Sequence, residues 1–167
     1  MNKAIRIRMA QPGDEGTILR FIEGLAEYEN MSSDVIATEE LLREWIFEKQ
    51  KAEVLFAEMD GKEVGFALFF HNFSTFLGRA GIYLEDLFVL PEWRGKGCGT
   101  ALLRTLAQIT LERGCGRLEW ACLDWNKPSI DFYLSLGARS MDEWTTYRLT
   151  GETLERMAGL AGREEQA

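Results

Sequence analysis

The sequence contains 167 residues, 46% of them hydrophobic, and carries a formal net charge of −8. This length and composition predict a single domain, 1–167, with a full hydrophobic core, and the acidic balance argues against a nucleic-acid-binding surface, which would be basic. Three cysteines without CxxC spacing and one histidine argue against a zinc site, so we expect no metal. The sequence shows neither a signal sequence nor an apolar membrane span, so we expect a soluble protein of the cytoplasm.

The first half of the chain is expected to contain one strand, two helices and a three-stranded meander. Isoleucine alternates with arginine over 4–9, which predicts a half-buried strand. Apolar residues at helical spacing predict a first helix that ends near 28–30, and Thr38 is the expected N-cap of a second helix. The meander strands are predicted over 52–59, 64–73 and 83–90, with a tight turn at Asp60 and Gly61.

The second half is expected to alternate helices and strands. The strongest amphipathic pattern predicts a helix over 97–113 that ends at Gly114. There follow a predicted strand over 117–123, a short helix over 127–136, a last strand over 144–149, and a helix over 153–160 that frays into 161–167. This order of elements predicts an α/β (α+β) domain, with an antiparallel meander and a parallel strand–helix–strand crossover.

A loop with alternating glycines joins the third meander strand to the strongest helix. Unsatisfied amides at a helix N-terminus bind anions, and Gly95, Gly97 and Gly99 allow a ligand to approach them closely, which predicts a pyrophosphate site. The loop is not a P-loop, because no GK[ST] is present, nor a dinucleotide fingerprint, because Thr100 replaces its third glycine. The remaining pattern is Arg-x-x-Gly-x-Gly, which begins at Arg94.

The loop RGKGCG, 94–99, resembles the acetyl-CoA pyrophosphate loop of the GNAT superfamily of N-acetyltransferases. Four other segments are similar to the diamine (spermidine/spermine) N-acetyltransferase branch. They are LEDLFV before the loop, WNKPSIDFYLSLGA (125–138) after it, LAEYENM (25–31), and the tryptophan-containing segment at Trp144. The run LDWN, 123–126, resembles the thialysine-type members somewhat more. The resemblance covers nearly the whole chain. It implies a GNAT-like acyl-CoA N-acyltransferase fold, in which a mostly antiparallel sheet with a splayed strand pair is flanked by helices, and it implies a homodimer.

The resemblance also implies where the cofactor, acetyl-CoA, is held. The glycine loop would bind the pyrophosphate through its amides, and Arg94 and Lys96 would add positive charge. A strand backbone would pair with the pantetheine arm, and Asn126 would contact the same arm, although Asn126 could equally be a helix N-cap. The full set of implied cofactor residues is Leu87, Phe88, Val89, Arg94, Gly95, Lys96, Gly97, Cys98, Gly99, Thr100, Asn126, Ser129 and Tyr133.

Two residues are implied to carry the chemistry. Tyr133 matches the family's general acid, which would protonate the departing thiolate, although core packing beside Phe132 is an alternative explanation for it. Glu85 matches the family's base, acting directly or through water, although an ordinary edge carboxylate is an alternative explanation for it. Asp86, next to it, would draw a cationic acceptor. Strand alternation places adjacent side chains on opposite faces unless a bulge intervenes, and in the superfamily this strand is bulged.

The expected acceptor site combines acids with aromatic rings, an environment that suits an alkylammonium. A solvated acidic face and a tryptophan in the core remain open as alternatives for its weaker members. The expected acceptor residues are Tyr28, Glu29, Glu85, Asp86, Asp142 and Trp144.

These features predict an acetyl-CoA-dependent N-acetyltransferase that acts on a primary amine of a small cationic acceptor, a polyamine or a lysine-like amino acid. The alternatives are a non-catalytic CoA-binding sensor and a protein lysine acetyltransferase. The expected partners are the small amine and a second copy of the chain, with no nucleic acid and no membrane.

Overall fold

The computed structural model describes residues 4–160. The chain divides into two compact units, Met1–Ala121 and Cys122–Ala167. The first unit holds the sheet and the longer helices, and the second holds two short helices. The expected frayed tail, 161–167, lies outside the described residues.

A five-stranded mixed sheet forms the centre of the first unit. Its strands are β1 (Arg6–Met9), β2 (Glu53–Met59), β3 (Lys62–Ser74), β4 (Arg79–Val89) and β5 (Leu118–Trp120), in that spatial order. Neighbours from β1 to β4 pair antiparallel, and β4 pairs parallel with β5. The predicted meander and parallel crossover are therefore confirmed. The predicted tight turn is also present, because Asp60 and Gly61 both have positive φ, 53° and 73°.

Helices cover both faces of this sheet. On one face, α1 (Glu15–Tyr28) packs on Phe56 and Phe66 through Ile18 and Phe21. On the other face lies α3 (Cys98–Glu112), whose Cys98 Sγ is 3.4 Å from Met59 Sδ. Val54, Leu55, Phe56 and Ala57 are all buried, as expected for a strand covered on both sides.

The second predicted helix changes its winding along its length. It begins with a side-chain cap, in which Thr38 Oγ1 accepts the Leu41 N–H at 3.2 Å, and forms α2 (Glu39–Leu42). It then continues as a π-helix over Arg43–Glu48. The predicted cap is confirmed, whereas the wider winding is not visible in the spacing of apolar residues.

The second unit contains α4 (Lys127–Ser135) and α5 (Gly151–Met157). The strand predicted over 144–149 is wrong, because none of the described residues pairs with this segment. Trp144, Tyr147 and Leu149 are all exposed there. Alternation of apolar residues fixes which way side chains point, but a strand also needs a neighbour for its backbone hydrogen bonds.

Candidate active site

A β-bulge in β4 places two adjacent carboxylates at the candidate site. Leu84 lies opposite Phe69 and Asp86 lies opposite Leu68, so Glu85 is an extra residue in the ladder. A bulge bends the strand and re-aims its side chains. The bulge that the resemblance implied is therefore present, and it removes the strict alternation that would send Glu85 and Asp86 to opposite faces.

Three carboxylates are brought together at this bulge. Burial of Asp86, together with the negative charges of Glu85 and then Glu29, raises the pKa of the Asp86 carboxyl to about 6. Burial also raises the pKa of Glu29, which follows the last residue of α1. A cation that enters this group would remove the mutual repulsion of the three acids and replace part of the water that Asp86 has lost.

The acidic group extends along the same face to Tyr83 and Glu119, which the sequence did not single out. The two residues are paired across β4 and β5, and the Tyr83 ring lies 5.3 Å from that of Phe70. Burial, and then the charges of Glu85 and Glu119, raise the pKa of the Tyr83 phenol. Glu119 Oε1 also forms an ion pair with Arg117, whose Nε lies 2.8 Å away. An acid inside the short apolar strand Leu118–Trp120 was the signal that could have identified it.

The glycine loop has the geometry of an anion site. Gly95 and Gly97 have positive φ, 73° and 92°, and Gly97 is the N-cap of α3. The first amide bonded back to the loop is that of Ala101, which donates to the Gly97 carbonyl at 2.9 Å. The amides of Cys98, Gly99 and Thr100 precede it and therefore have no acceptor within the helix. The Cys98 side chain is buried, so this residue would contact a ligand through its backbone.

The two cations of the loop are directed at aromatic rings. The Arg94 guanidinium lies over the Tyr28 ring at 4.9 Å and beside the Phe88 ring at 5.3 Å, and Lys96 Nζ lies 4.6 Å from the Trp93 ring. Arg94 Nε also donates to the Val89 carbonyl at 2.9 Å. The sequence predicted positive charge at the loop but not these aromatic partners. Trp93 and Phe88 lie close to the loop in the sequence, whereas Tyr28 comes from α1 and is brought near only by the fold.

One edge of β4 is open beyond the bulge. Pairing with β5 ends at Leu84 and Trp120, while β4 continues to Val89 and stays paired with β3. No described strand pairs with the other edge of Leu87, Phe88 and Val89. The β4 edge is open here because β5 ends at Trp120, and the splaying of a strand pair stays a prediction. The Val89 carbonyl already accepts from Arg94 Nε, and the other backbone groups on this edge could pair with an extended ligand.

In the second unit, Asn126 caps the helix that carries Ser129 and Tyr133. The Asn126 side chain is buried, and its Oδ1 accepts the Ser129 N–H at 3.4 Å. Tyr133 is partly buried, with its ring 5.6 Å from that of Phe132. Capping and ring packing, the two structural alternatives for these residues, are therefore both present, and neither conflicts with a role toward a ligand.

Asp142 and Trp144 also belong to the second unit. Asp142 is exposed and accepts a hydrogen bond from Ser140 Oγ at 3.0 Å, and Trp144 is 78% exposed. The alternative of a tryptophan in the core is therefore excluded for Trp144. These two residues remain acceptor candidates by resemblance alone.

Residues 4–160 contain no group of three histidine, cysteine, aspartate or glutamate side chains that could hold a metal ion. None of the helices in the same range has the length and apolar character needed to cross a membrane.

Comparison with known proteins gives consistent matches. A sequence model of the Acetyltransferase (GNAT) family matches residues 19–138. The chain is 42% identical over 168 residues to a thialysine N-epsilon-acetyltransferase of Sus scrofa, covering 93% of this chain and 98% of that protein. It is 44% identical over 91 residues to an L-ornithine N5-acetyltransferase of Arabidopsis thaliana, covering 54% of this chain and 40% of that protein.

The fold is also found among solved structures. An integron cassette protein from the mobile metagenome of V. cholerae matches with a TM-score of 0.77 and 31% identity, covering 92% of this chain and 97% of that one.

Proposed function

Because the chain belongs to the acetyltransferase (GNAT) family, we propose that it transfers an acetyl group from acetyl-CoA to a primary amine of a small cationic acceptor by direct attack in a ternary complex. The observation that carries this proposal is the group of three carboxylates at Glu29, Glu85 and Asp86. These acids lie on β4 and at the end of α1, and Arg94 of the glycine loop contacts the same two elements. Glu29 and Asp86 are partly buried and Glu85 is exposed, and an acidic group of this kind favours a cation over a neutral or anionic acceptor.

The residues of the first unit fit a CoA ligand. Positive φ at Gly95 and Gly97 and the free amides at the start of α3 suit a pyrophosphate, and the open edge of Leu87–Val89 suits an extended amide-bearing arm. Bound acetyl-CoA would supply an activated acetyl thioester. We propose Asn126 and Ser129 as further contacts to the arm.

We propose that Glu85 and Tyr133 move the protons. An alkylammonium has a pKa of about 10.4, so the acceptor must lose a proton before its nitrogen can attack. Glu85 takes that proton, directly or through water, and the Tyr133 hydroxyl donates one to the departing sulfur. Asp86 and Glu29 hold the acceptor's positive charge, with Tyr28 as an aromatic neighbour. Asp142 and Trp144 of the second unit are proposed as further acceptor contacts on the resemblance alone.

We propose a lysine-like amino acid as the first acceptor class and a polyamine as the second, since the relatives are named for thialysine and L-ornithine. The test is release of free thiol from acetyl-CoA with a panel of amines, including these two and spermidine. Amine-dependent release supports the proposal. Tight CoA binding without release would indicate a sensor, and acetylation of lysines in added protein alone would indicate a protein acetyltransferase.

We propose further that the two units act as one catalytic domain and that the protein is a cytoplasmic homodimer. The second unit exposes a series of large apolar side chains, and exposed apolar surface is often covered by a partner. They are Trp125, Leu134, Leu136, Met141, Trp144, Tyr147, Leu149, Leu154, Met157 and Leu160. Cys98, Cys115 and Cys122 form no disulfide among the described residues, which fits a reducing compartment.

A further inference from the structure

Arg94 stands at the junction of two groups of residues that serve different ligands under the proposed function. Its backbone opens the glycine loop, where its N–H donates to the Pro91 carbonyl at 3.2 Å. Its guanidinium reaches away from the loop, to Tyr28 at the end of α1 and to Phe88 on β4. Tyr28 directly precedes Glu29, whose charge acts on Asp86.

The direction of the Arg94 side chain is fixed at several points. Nε donates to the Val89 carbonyl at 2.9 Å, which pins the base of the guanidinium to β4. The Tyr28 and Phe88 rings lie 6.4 Å apart, so the planar cation contacts both. α1 approaches Phe88 closely because Gly24 has no side chain: a Cβ there would lie 3.1 Å from Phe88 Cε1. The contact therefore joins three packed elements.

We infer that Arg94 is a positioning residue that couples the cofactor loop to the acceptor-binding end of α1, so that CoA and the amine strengthen each other's binding. The inference rests on the proposed function. A ligand that fixes the backbone of 94–99 also fixes the origin of the Arg94 side chain, and through it the Tyr28 ring and the neighbouring Glu29. The second ligand then finds its contacts already ordered and loses less conformational entropy.

Titration calorimetry with CoA and thialysine tests the coupling without turnover. The measured quantity is the ratio of thialysine dissociation constants without and with saturating CoA. We expect a ratio above one for the wild type, and a decrease of about threefold or more in Arg94→Gln, since cation–π contacts of this kind are worth about this factor or more. Tyr28→Leu should decrease the ratio similarly, and Tyr28→Phe, which keeps the ring, should not.

The double variant of Arg94→Gln with Tyr28→Leu should show no further decrease, because both changes remove the same contact. Lys49→Gln is the matched control: it removes another cation over a ring, Lys49 Nζ at 4.1 Å from Trp45, away from the loop and the carboxylates. Its ratio should equal that of the wild type.

Either of two results would overturn the inference. One is a wild-type ratio of one. The other is an unchanged ratio in Arg94→Gln, even if CoA binds more weakly, because Arg94 would then be only a contact to the cofactor. Failure of the proposed function would give a different result, because the wild type would then release no thiol with any amine. If the wild type acetylates amines but its coupling does not depend on Arg94, only the inference about Arg94 is refuted.

Discussion

Asp86 carries a negative charge that the folded protein disfavours. Its pKa of about 6 lies above the ordinary value of 3.8, because of burial first and then the charges of Glu85 and Glu29. The unfolded chain therefore loses this proton at a lower pH than the folded chain does. As pH rises from about 4 to about 6, the protein loses stability at this position, and above that range the full cost remains.

Replacing Asp86 with asparagine should therefore stabilise the protein while it weakens the enzyme. Asparagine has a similar shape without the charge, so we expect the free energy of unfolding at about pH 8 to rise by on the order of 2 kcal/mol, and by less at about pH 5. The KM for the amine should rise. Urea denaturation at both pH values measures the first effect. Asp131→Asn, an exposed carboxylate paired with Lys127, is the control and should change stability little. Destabilisation at the higher pH would contradict the account.

The hydroxyl of Tyr133 should matter far more to turnover than to folding. Tyr133→Phe keeps the ring that packs on Phe132 at 5.6 Å, so we expect the variant to fold. Loss of a general acid should lower kcat by about 10²-fold or more. Tyr147→Phe is the control, because it removes a hydroxyl from a residue with no proposed catalytic role and keeps the aromatic ring at the proposed dimer surface. Steady-state thiol release gives both values, and an unchanged kcat in Tyr133→Phe would exclude it as the acid.

At the scale of elements, alanine substitutions of the glycines at the two ends of α3 distinguish an effect on CoA binding from an effect on stability. Gly95, in the loop before the helix, and Gly114, just after it, have nearly equal positive φ, 73° and 69°, and a Cβ would meet no atom within 4 Å at either. Alanine at each should therefore cost a similar amount, about 1–2 kcal/mol. Only Gly95→Ala should weaken CoA binding, as measured by calorimetry. Equal losses of CoA affinity in both variants would mean that the loop does not bind the pyrophosphate.

Elements with a strong local signal were predictable from the sequence. The turn at Asp60 and Gly61, the cap at Thr38 and the helix after the glycine loop each depend on residues a few positions apart. The strand predicted over 144–149 was not formed, because its existence depends on a partner that local alternation cannot reveal.

The residues of the candidate site could be predicted from the sequence, but the contacts between them could not. Its residue types and the bulge at Glu85 follow from resemblance, and the structure places Glu29, Glu85 and Asp86 together. The stacking of Arg94 on Tyr28 joins residues far apart in the chain, and the raised pKa of Asp86 depends on its burial and on the charges of Glu85 and Glu29 in the folded chain. Neither can be derived from spacing along the sequence.

On the scale of the whole molecule, the apolar surface of the second unit predicts self-association. Trp144→Asp and Tyr147→Asp should each shift the protein from dimer toward monomer at micromolar concentration, because a charge in a buried interface is costly. Light scattering coupled to size exclusion measures this. Leu111→Asp, an exposed apolar residue on α3, is the control and should remain dimeric. A monomeric wild type would contradict the proposed homodimer.

The central claim is that the acidic group of the first unit receives a cationic amine for acetyl transfer. Mass spectrometry of the products from acetyl-CoA and an equimolar mixture of thialysine, L-ornithine and spermidine tests it most directly. We predict that at least one of these amines gains an acetyl group on a primary amine, and that Asp86→Asn forms less of that product. Recovery of all three amines unmodified, with the wild-type protein folded and bound to CoA, would contradict the claim.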